Sequence, residues 1–269
     1  MEKHKSRVIL IAVSIALLTG IILSGCSGQT GGGTPFSQTL AGEKPIIWYE
    51  CQNKIEQSEE ETDYIIEGAG DAEAEGKVFG RETGVIWIKV YKDGKLSSYS
   101  CQESANLGHF SKMTDEEILN ELADEEKYNC GQKDQPYEVY LYTDPAGQEV
   151  VYEGVPSLIQ QKSQKSPMYF MTLISKDKIP TFQVYDSYYG GYVLFNYDEE
   201  QLREACLVTR CEKGASYGLD DMALEGAVLD YKTPEEMLHE KNIALKKENK
   251  KDKKAEKEKA EEAESVDEG

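Results

Sequence analysis

The sequence predicts an antiparallel α+β fold: one or more sheets with a few short helices, followed by a charged C-terminal helix or tail. Three observations predict it. Runs of β-branched and aromatic residues follow one another through tight turns. These runs do not alternate with helices of about 10–15 residues, as a doubly wound parallel sheet requires. Apolar residues become sparse after Leu245, where the chain turns to Lys, Glu and Ala.

Taken in order, Ile46-Ile47-Trp48-Tyr49 opens the strands, after Pro45. Gly84 to Tyr91 is a stronger run, followed by Lys92-Asp93-Gly94-Lys95 and then Leu96 to Cys101. Asp-Gly between two strand runs predicts a type I′ hairpin, because both central residues need positive φ. Thr114 to Tyr128 reads as a helix: Thr114 and Glu117 make a capping box, and Ile118, Leu119 and Leu122 form a narrow apolar face. Tyr137 to Thr143 and Glu149 to Tyr152 flank Asp144-Pro145-Ala146-Gly147, which has the Pro and Gly positions of a type I turn. Further strands are predicted at Met168 to Ile174, Phe182 to Tyr185, Tyr192 to Tyr197 and Cys206 to Cys211, with a short helix from Asp198 to Ala205. In the tail, Thr233-Pro234-Glu235-Glu236 starts a helix, and Met237, Leu238, Ile243 and Leu245 are placed to pack one end of it. No sustained apolar heptad follows, so no coiled coil is expected. The domain reading is a globular body over 43–232, with a possible division into halves near 131–135, and a charged tail over 233–269.

The chain has 269 residues, with 50 Asp and Glu against 30 Lys and Arg, a net charge of −20. A Lys/Arg excess is what reads phosphate backbones, so nucleic-acid binding is not expected. The same acidity is repelled by anionic head groups, so membrane attachment needs a hydrophobic device.

Such a device stands at the N-terminus. Lys3, Lys5 and Arg7 precede an apolar run from Val8 to Leu23, which is short for a spanning helix of about 20 residues but suits an export signal. The run ends in Leu23-Ser24-Gly25-Cys26. This resembles the lipobox of bacterial lipoproteins, an aliphatic residue and two small ones before an invariant Cys. The resemblance covers residues 1–26 only. It implies cleavage between Gly25 and Cys26 and a diacylglyceryl thioether, carrying acyl chains such as palmitate, on Cys26. Two chains give stable attachment where one is marginal. The expected location is the outer side of a cell membrane, with a weak tilt to a Gram-positive-type surface. From Ser27 to Gly42 the chain is rich in Gly, Ser, Thr and Gln, and residues 26–42 read as the lipidated Cys and a flexible tether with a reach of about 20–24 Å.

The candidate chemistry is thin. Besides Cys26 there are Cys51, Cys101, Cys130, Cys206 and Cys211, an odd number. On one strand, Cys206 and Cys211 stand about 16 Å apart on opposite faces, beyond disulfide reach. No C-x-x-C is present and His is scarce, so zinc is not expected. Cys101 and His109 are the residues for a Cys–His dyad, and Gly214-Ala215-Ser216-Tyr217-Gly218 matches G-x-S-x-G, the pattern of a nucleophile elbow, but also of a plain Gly-rich turn. Asp71, Glu73, Glu75, Gly76 and Glu82 have the spacing of an EF-hand loop, which raises calcium as the one metal to consider. Long Glu side chains at the inner positions depart from that pattern. Tyr185, Tyr188, Tyr189 and Tyr192 crowd around Gly190-Gly191 and offer either a flat binding face or ordinary strand residues beside a turn. The functional expectation is a non-catalytic binding or accessory lipoprotein without cofactor, serving a membrane complex or a cell-wall ligand. Importer solute-binding lipoproteins resemble it by anchor only. The alternative is an extracytoplasmic enzyme, or a calcium- or glycan-binding surface module.

Overall fold

The computed structural model describes residues 33–42, 44–52, 79–160, 166–195 and 205–267. The Asp-Gly hairpin forms as the sequence requires. Strands β3 (Gly84–Lys92) and β4 (Lys95–Asn106) pair antiparallel around Asp93 (φ 51°) and Gly94 (φ 69°), the two positive φ values of a type I′ turn. The Pro-Gly turn also forms. Gly147 N–H donates to Asp144 O at 2.9 Å, and Asp144 Oδ1 accepts from the N–H groups of Gln148 and Glu149.

Strand makes up nearly half of the described chain. The remaining strands are β1 (Thr34–Pro35), β2 (Ile46–Gln52), β5 (Tyr128–Pro136), β6 (Tyr140–Thr143), β7 (Val150–Ile159), β8 (Met168–Val184), β9 (Ser187–Leu194), β10 (Ala205–Cys211), β11 (Tyr217–Gly218) and β12 (Val228–Asp230). Ten of the twelve described strands form one sheet in the order β12-β6-β7-β8-β9-β10-β2-β3-β4-β5, while β1 and β11 pair separately and in parallel. Every pairing in the large sheet is antiparallel except β12 with β6. The sheet curls, so that β5 at one end of the order meets β7: Gln160 N–H donates to Gly131 O at 3.0 Å.

Period-2 alternation divides the apolar side chains between the two faces. Trp48, Tyr192 and Leu207 pack with Phe36, Tyr91, Leu96 and Tyr217. Tyr49, Tyr189 and Val208 pack instead with Phe110, Ile118 and Phe182. The second cluster is covered by helix α2 (Leu107–Phe110) and helix α3 (Asp115–Glu121).

Several expectations are corrected. The tether does not extend to Gly42. Within that polar tract Phe36 and Leu40 lie one helical turn apart, and helix α1 (Phe36–Leu40) buries both. The Phe36 ring meets Tyr192 edge-on at 5.4 Å and Trp48 at 6.1 Å. The division near 131–135 falls inside β5, and β2 lies between β10 and β3, so the body is one unit. The helix predicted over 114–128 ends early. Its capping box is present, but Ala123 and Asp124 N–H bond back only three residues, and Tyr128 is drawn into β5 opposite Cys101. Gly190-Gly191 is not a turn. The turn is Tyr185-Asp186, and the glycines lie inside β9, where a Cβ on Gly191 would stand 2.0 Å from Leu207 O. Ala205 begins β10, and the rest of the predicted 198–205 helix lies outside the described residues, as do residues 196–197 of the strand predicted to end at Tyr197.

The tail is helical. Helix α4 (Pro234–Asp267) is held at its first turns by buried Met237 and by a two-way amide clasp, in which Tyr169 N–H donates to Asn242 Oδ1 at 2.8 Å and Asn242 Nδ2 donates to Tyr169 O at 3.2 Å. Leu238 packs beside Met237, whereas Ile243 is exposed.

Candidate functional site

The tyrosine group does not form one exposed face. Tyr189 and Tyr192 have no exposed surface: the first packs against Tyr49 and Phe182, the second against Phe36, Trp48 and Tyr217. They differ by three positions on a strand, so they point to opposite faces and into different clusters. Tyr185 and Tyr188 remain at the surface. Tyr185, in the turn with φ 50°, is 42 % exposed, with Lys112 Nζ 4.7 Å from its ring centre. Lys213 Nζ stands 5.8 Å from the Tyr188 ring. The hairpin end therefore presents two aromatic rings, each beside a cation, on a strongly acidic chain.

Arg210 fixes this region to the helices. Its Nη2 donates to Phe110 O at 3.1 Å and Met113 O at 2.9 Å, and its Nη1 meets Asp115 Oδ1 at 2.8 Å. One fork thus caps the carbonyls that end α2 and pairs with the first residue of α3.

Cys101 and His109 come into one neighbourhood but not into contact with each other. Cys101 is opposite Tyr128 in the sheet, Tyr128 Oη donates to Glu121 Oε1 at 2.7 Å, and His109 Nε2 meets that same oxygen at 2.9 Å. Burial raises the Glu121 carboxyl, but the bonds from Tyr128 and His109, with Lys127 nearby, outweigh it and hold the acid below its ordinary range. Burial pushes the Cys101 thiol up to about 12. A thiol that stays protonated is a poor nucleophile. Two residues therefore separate the proposed nucleophile from its proposed base.

Ser216 is exposed in a loop, and its carbonyl accepts from Thr34 N–H at 2.8 Å. The short strand β11 follows it where a nucleophile elbow needs a helix. Of the calcium candidates, Asp71, Glu73 and Glu75 lie outside the described residues, while Glu82 is in a turn beside Arg81, 3.4 Å away. Among the described residues no three Asp, Glu, His or Cys side chains come together as a metal site. Gly25 and Cys26 lie outside the described residues, and no described helix is long and apolar enough to cross a membrane.

Sequence reasoning missed one polar centre. Glu153, fully buried on β7, accepts from Asp220 N–H through Oε1. Asp220 in turn accepts from Ser37 N–H at 2.7 Å and Ser37 Oγ at 2.6 Å. Burial, and next the negative charge of Asp220, push the Glu153 carboxyl up to about 9, against the pull of the Asp220 N–H. The centre ties α1 and the segment after β11 to the sheet. Glu153 and Asp220 are buried, while Ser37 is half-buried. The centre's one signal in the sequence is a lone carboxyl inside the apolar run Val150-Val151-Tyr152-Glu153-Gly154-Val155; the partners Ser37 and Asp220 gave none.

No protein-family model matches the chain, and no curated protein or solved structure matches it either.

Proposed function

We propose that the chain is a lipid-anchored extracytoplasmic protein whose body binds a partner and does not transform a substrate. The observation that carries the reading is the basic, apolar and Leu23-Ser24-Gly25-Cys26 succession at the N-terminus. Seven peptide units separate Cys26 from Gly33, where the described body begins, at most about 25 Å of chain. A diacylglyceryl group on Cys26 therefore keeps the body close to the membrane surface. A partner in the same membrane, such as an integral complex, is within its reach, as is a cell-wall ligand.

The binding reading is supported by how the reactive side chains are used. Cys101 is half-buried with its thiol held protonated, His109 is bonded to Glu121, and Ser216 precedes a strand. The contact face is assigned to the hairpin end, where Tyr185 and Tyr188 stand beside Lys112 and Lys213. Rings with adjacent ammonium groups suit a carboxylated or sugar-bearing surface.

The test is expression in a bacterial host fed an alkyne palmitate analogue, followed by mild-detergent purification and mass spectrometry of co-purifying proteins. The wild type is expected to carry the label, and Cys26→Ala to lose it. Label surviving in Cys26→Ala overturns the anchor. A stoichiometric membrane partner that is lost with Tyr185→Ala/Tyr188→Ala, while the melting curve is kept, supports the contact face; a partner retained by that variant refutes it.

A further inference from the structure

Strands β2 and β10 come from distant parts of the chain yet lie side by side near the middle of the sheet. Their antiparallel register sets Cys206 directly opposite Cys51. Both side chains are completely buried in the same apolar cluster, with Tyr49, Val208 and Tyr189. The other three described cysteines each face a tyrosine instead: Cys101 opposite Tyr128, Cys130 opposite Tyr99 and Cys211 opposite Tyr188. Directly opposed residues of an antiparallel pair have Cα atoms about 4.5–5.5 Å apart. That lies inside the roughly 4.4–6.8 Å that a disulfide spans. The Cys51 thiol donates to Tyr49 O at 3.7 Å, and after burial its nearest influence is the Cys206 thiol, which pushes it further up.

We infer that Cys51 and Cys206 are a cross-strand cystine site, closed while the chain folds by exchange with a disulfide-class oxidant. The steps balance. The thiolate of one cysteine attacks a sulfur of the oxidant R–S–S–R, forming a mixed disulfide and releasing R–S⁻. The thiolate of the other cysteine attacks the protein sulfur of that mixed disulfide and releases a second R–S⁻. The two thiol protons go to the released thiolates, so two protein thiols are oxidised and one external disulfide is reduced.

Burial sets the timing. It pushes the Cys51 thiol well above its ordinary range, and the attacking species is the thiolate. The exchange therefore belongs to the folding chain, before the cluster closes over the pair. An extracytoplasmic location supplies oxidants of this class, but the geometry of the pair is independent of the lipid anchor. The bond closes a loop of about 155 residues and joins the two strands at the middle of the sheet, where constraint of the unfolded chain is large.

The experiment refolds the reduced, denatured full chain in a mixture of reduced and oxidised glutathione. Remaining thiols are alkylated in denaturant, and the chain is digested without reduction and mapped by mass spectrometry. The expected product is a peptide pair joined through Cys51 and Cys206 and two hydrogens lighter than its parts, with Cys101, Cys130 and Cys211 alkylated. Reductant is expected to lower the Tm of the wild type by about 5–15 °C and to leave Cys51→Ala and Cys206→Ala unmoved. Folded protein with Cys51 and Cys206 both alkylated, or linked to other cysteines, overturns the inference. The mapping is done on the wild type, so it decides the matter even where a variant fails to fold.

Discussion

Glu153→Gln isolates one buried proton. In the folded chain the Glu153 carboxyl holds its proton up to about pH 9, because ionisation would place a charge in the core beside Asp220. In the unfolded chain it ionises near its ordinary value of 4.5. Between those two values the folded state binds one more proton than the unfolded state, so stability falls as pH rises through the window. The slope from this group approaches about 1.4 kcal/mol per pH unit, which gives about 4 kcal/mol between pH 5 and pH 8. Below about pH 4.5 both states hold the proton and the slope vanishes; above about 9 both have lost it. The groups facing Glu153 are Asp220 and, from β9, Tyr192, while Ser37 of α1 satisfies Asp220. Gln keeps an acceptor for Asp220 N–H and does not titrate. The assay is urea unfolding of both proteins at pH 5 and pH 8. The advantage of Glu153→Gln over the wild type is expected to grow by about 4 kcal/mol, a relative midpoint shift of about 1–2 M urea. Taking this difference cancels every other titrating group. Two curves that stay parallel within about 1 kcal/mol would refute the reasoning, since Glu153 would then titrate alike in both states.

Two further substitutions test how the body is tied together. Phe36→Ala removes a fully buried ring from the contacts with Trp48 and Tyr192 and is expected to destabilise by about 3–5 kcal/mol in urea unfolding; a loss under about 1 kcal/mol would mean that residues 33–42 do not belong to the core. Arg210→Ala takes the donor from Phe110 O and Met113 O and the cation from Asp115, an expected loss of about 1.5–3 kcal/mol, with Lys restoring only part because it lacks the planar fork. Full recovery by Lys would show that only the charge of Arg210 matters.

What could be read from residues alone was local. The Asp93-Gly94 hairpin, the Thr114/Glu117 capping box and the Asp144 turn follow from short-range sterics and hydrogen bonding, which neighbouring residues specify by themselves. Strand identity was legible wherever β-branched and aromatic residues clustered, and illegible in β5, whose Tyr128–Pro136 stretch is polar because it lies at the end of the sheet order. The turn beside the tyrosines was misplaced for a related reason. Composition placed four rings together, but strand alternation sends Tyr189 and Tyr192 to opposite faces, and of the glycines between them Gly191 makes room for the β10 backbone and Gly190 for the Tyr217 and Thr181 side chains, so neither makes a turn.

The acidity, the absence of a regular βα alternation, the lipobox-like segment and the charged end of α4 are properties of composition and order along the chain, and the amino-acid sequence carries them whole. Which distant residues meet is another matter, because contacts between residues far apart in the chain depend on register and sheet order, which no local pattern encodes. The fold alone brings Phe36 onto Trp48, seats Glu153 against Asp220 and Ser37, puts Tyr128 and Glu121 between Cys101 and His109, and sets Cys206 opposite Cys51.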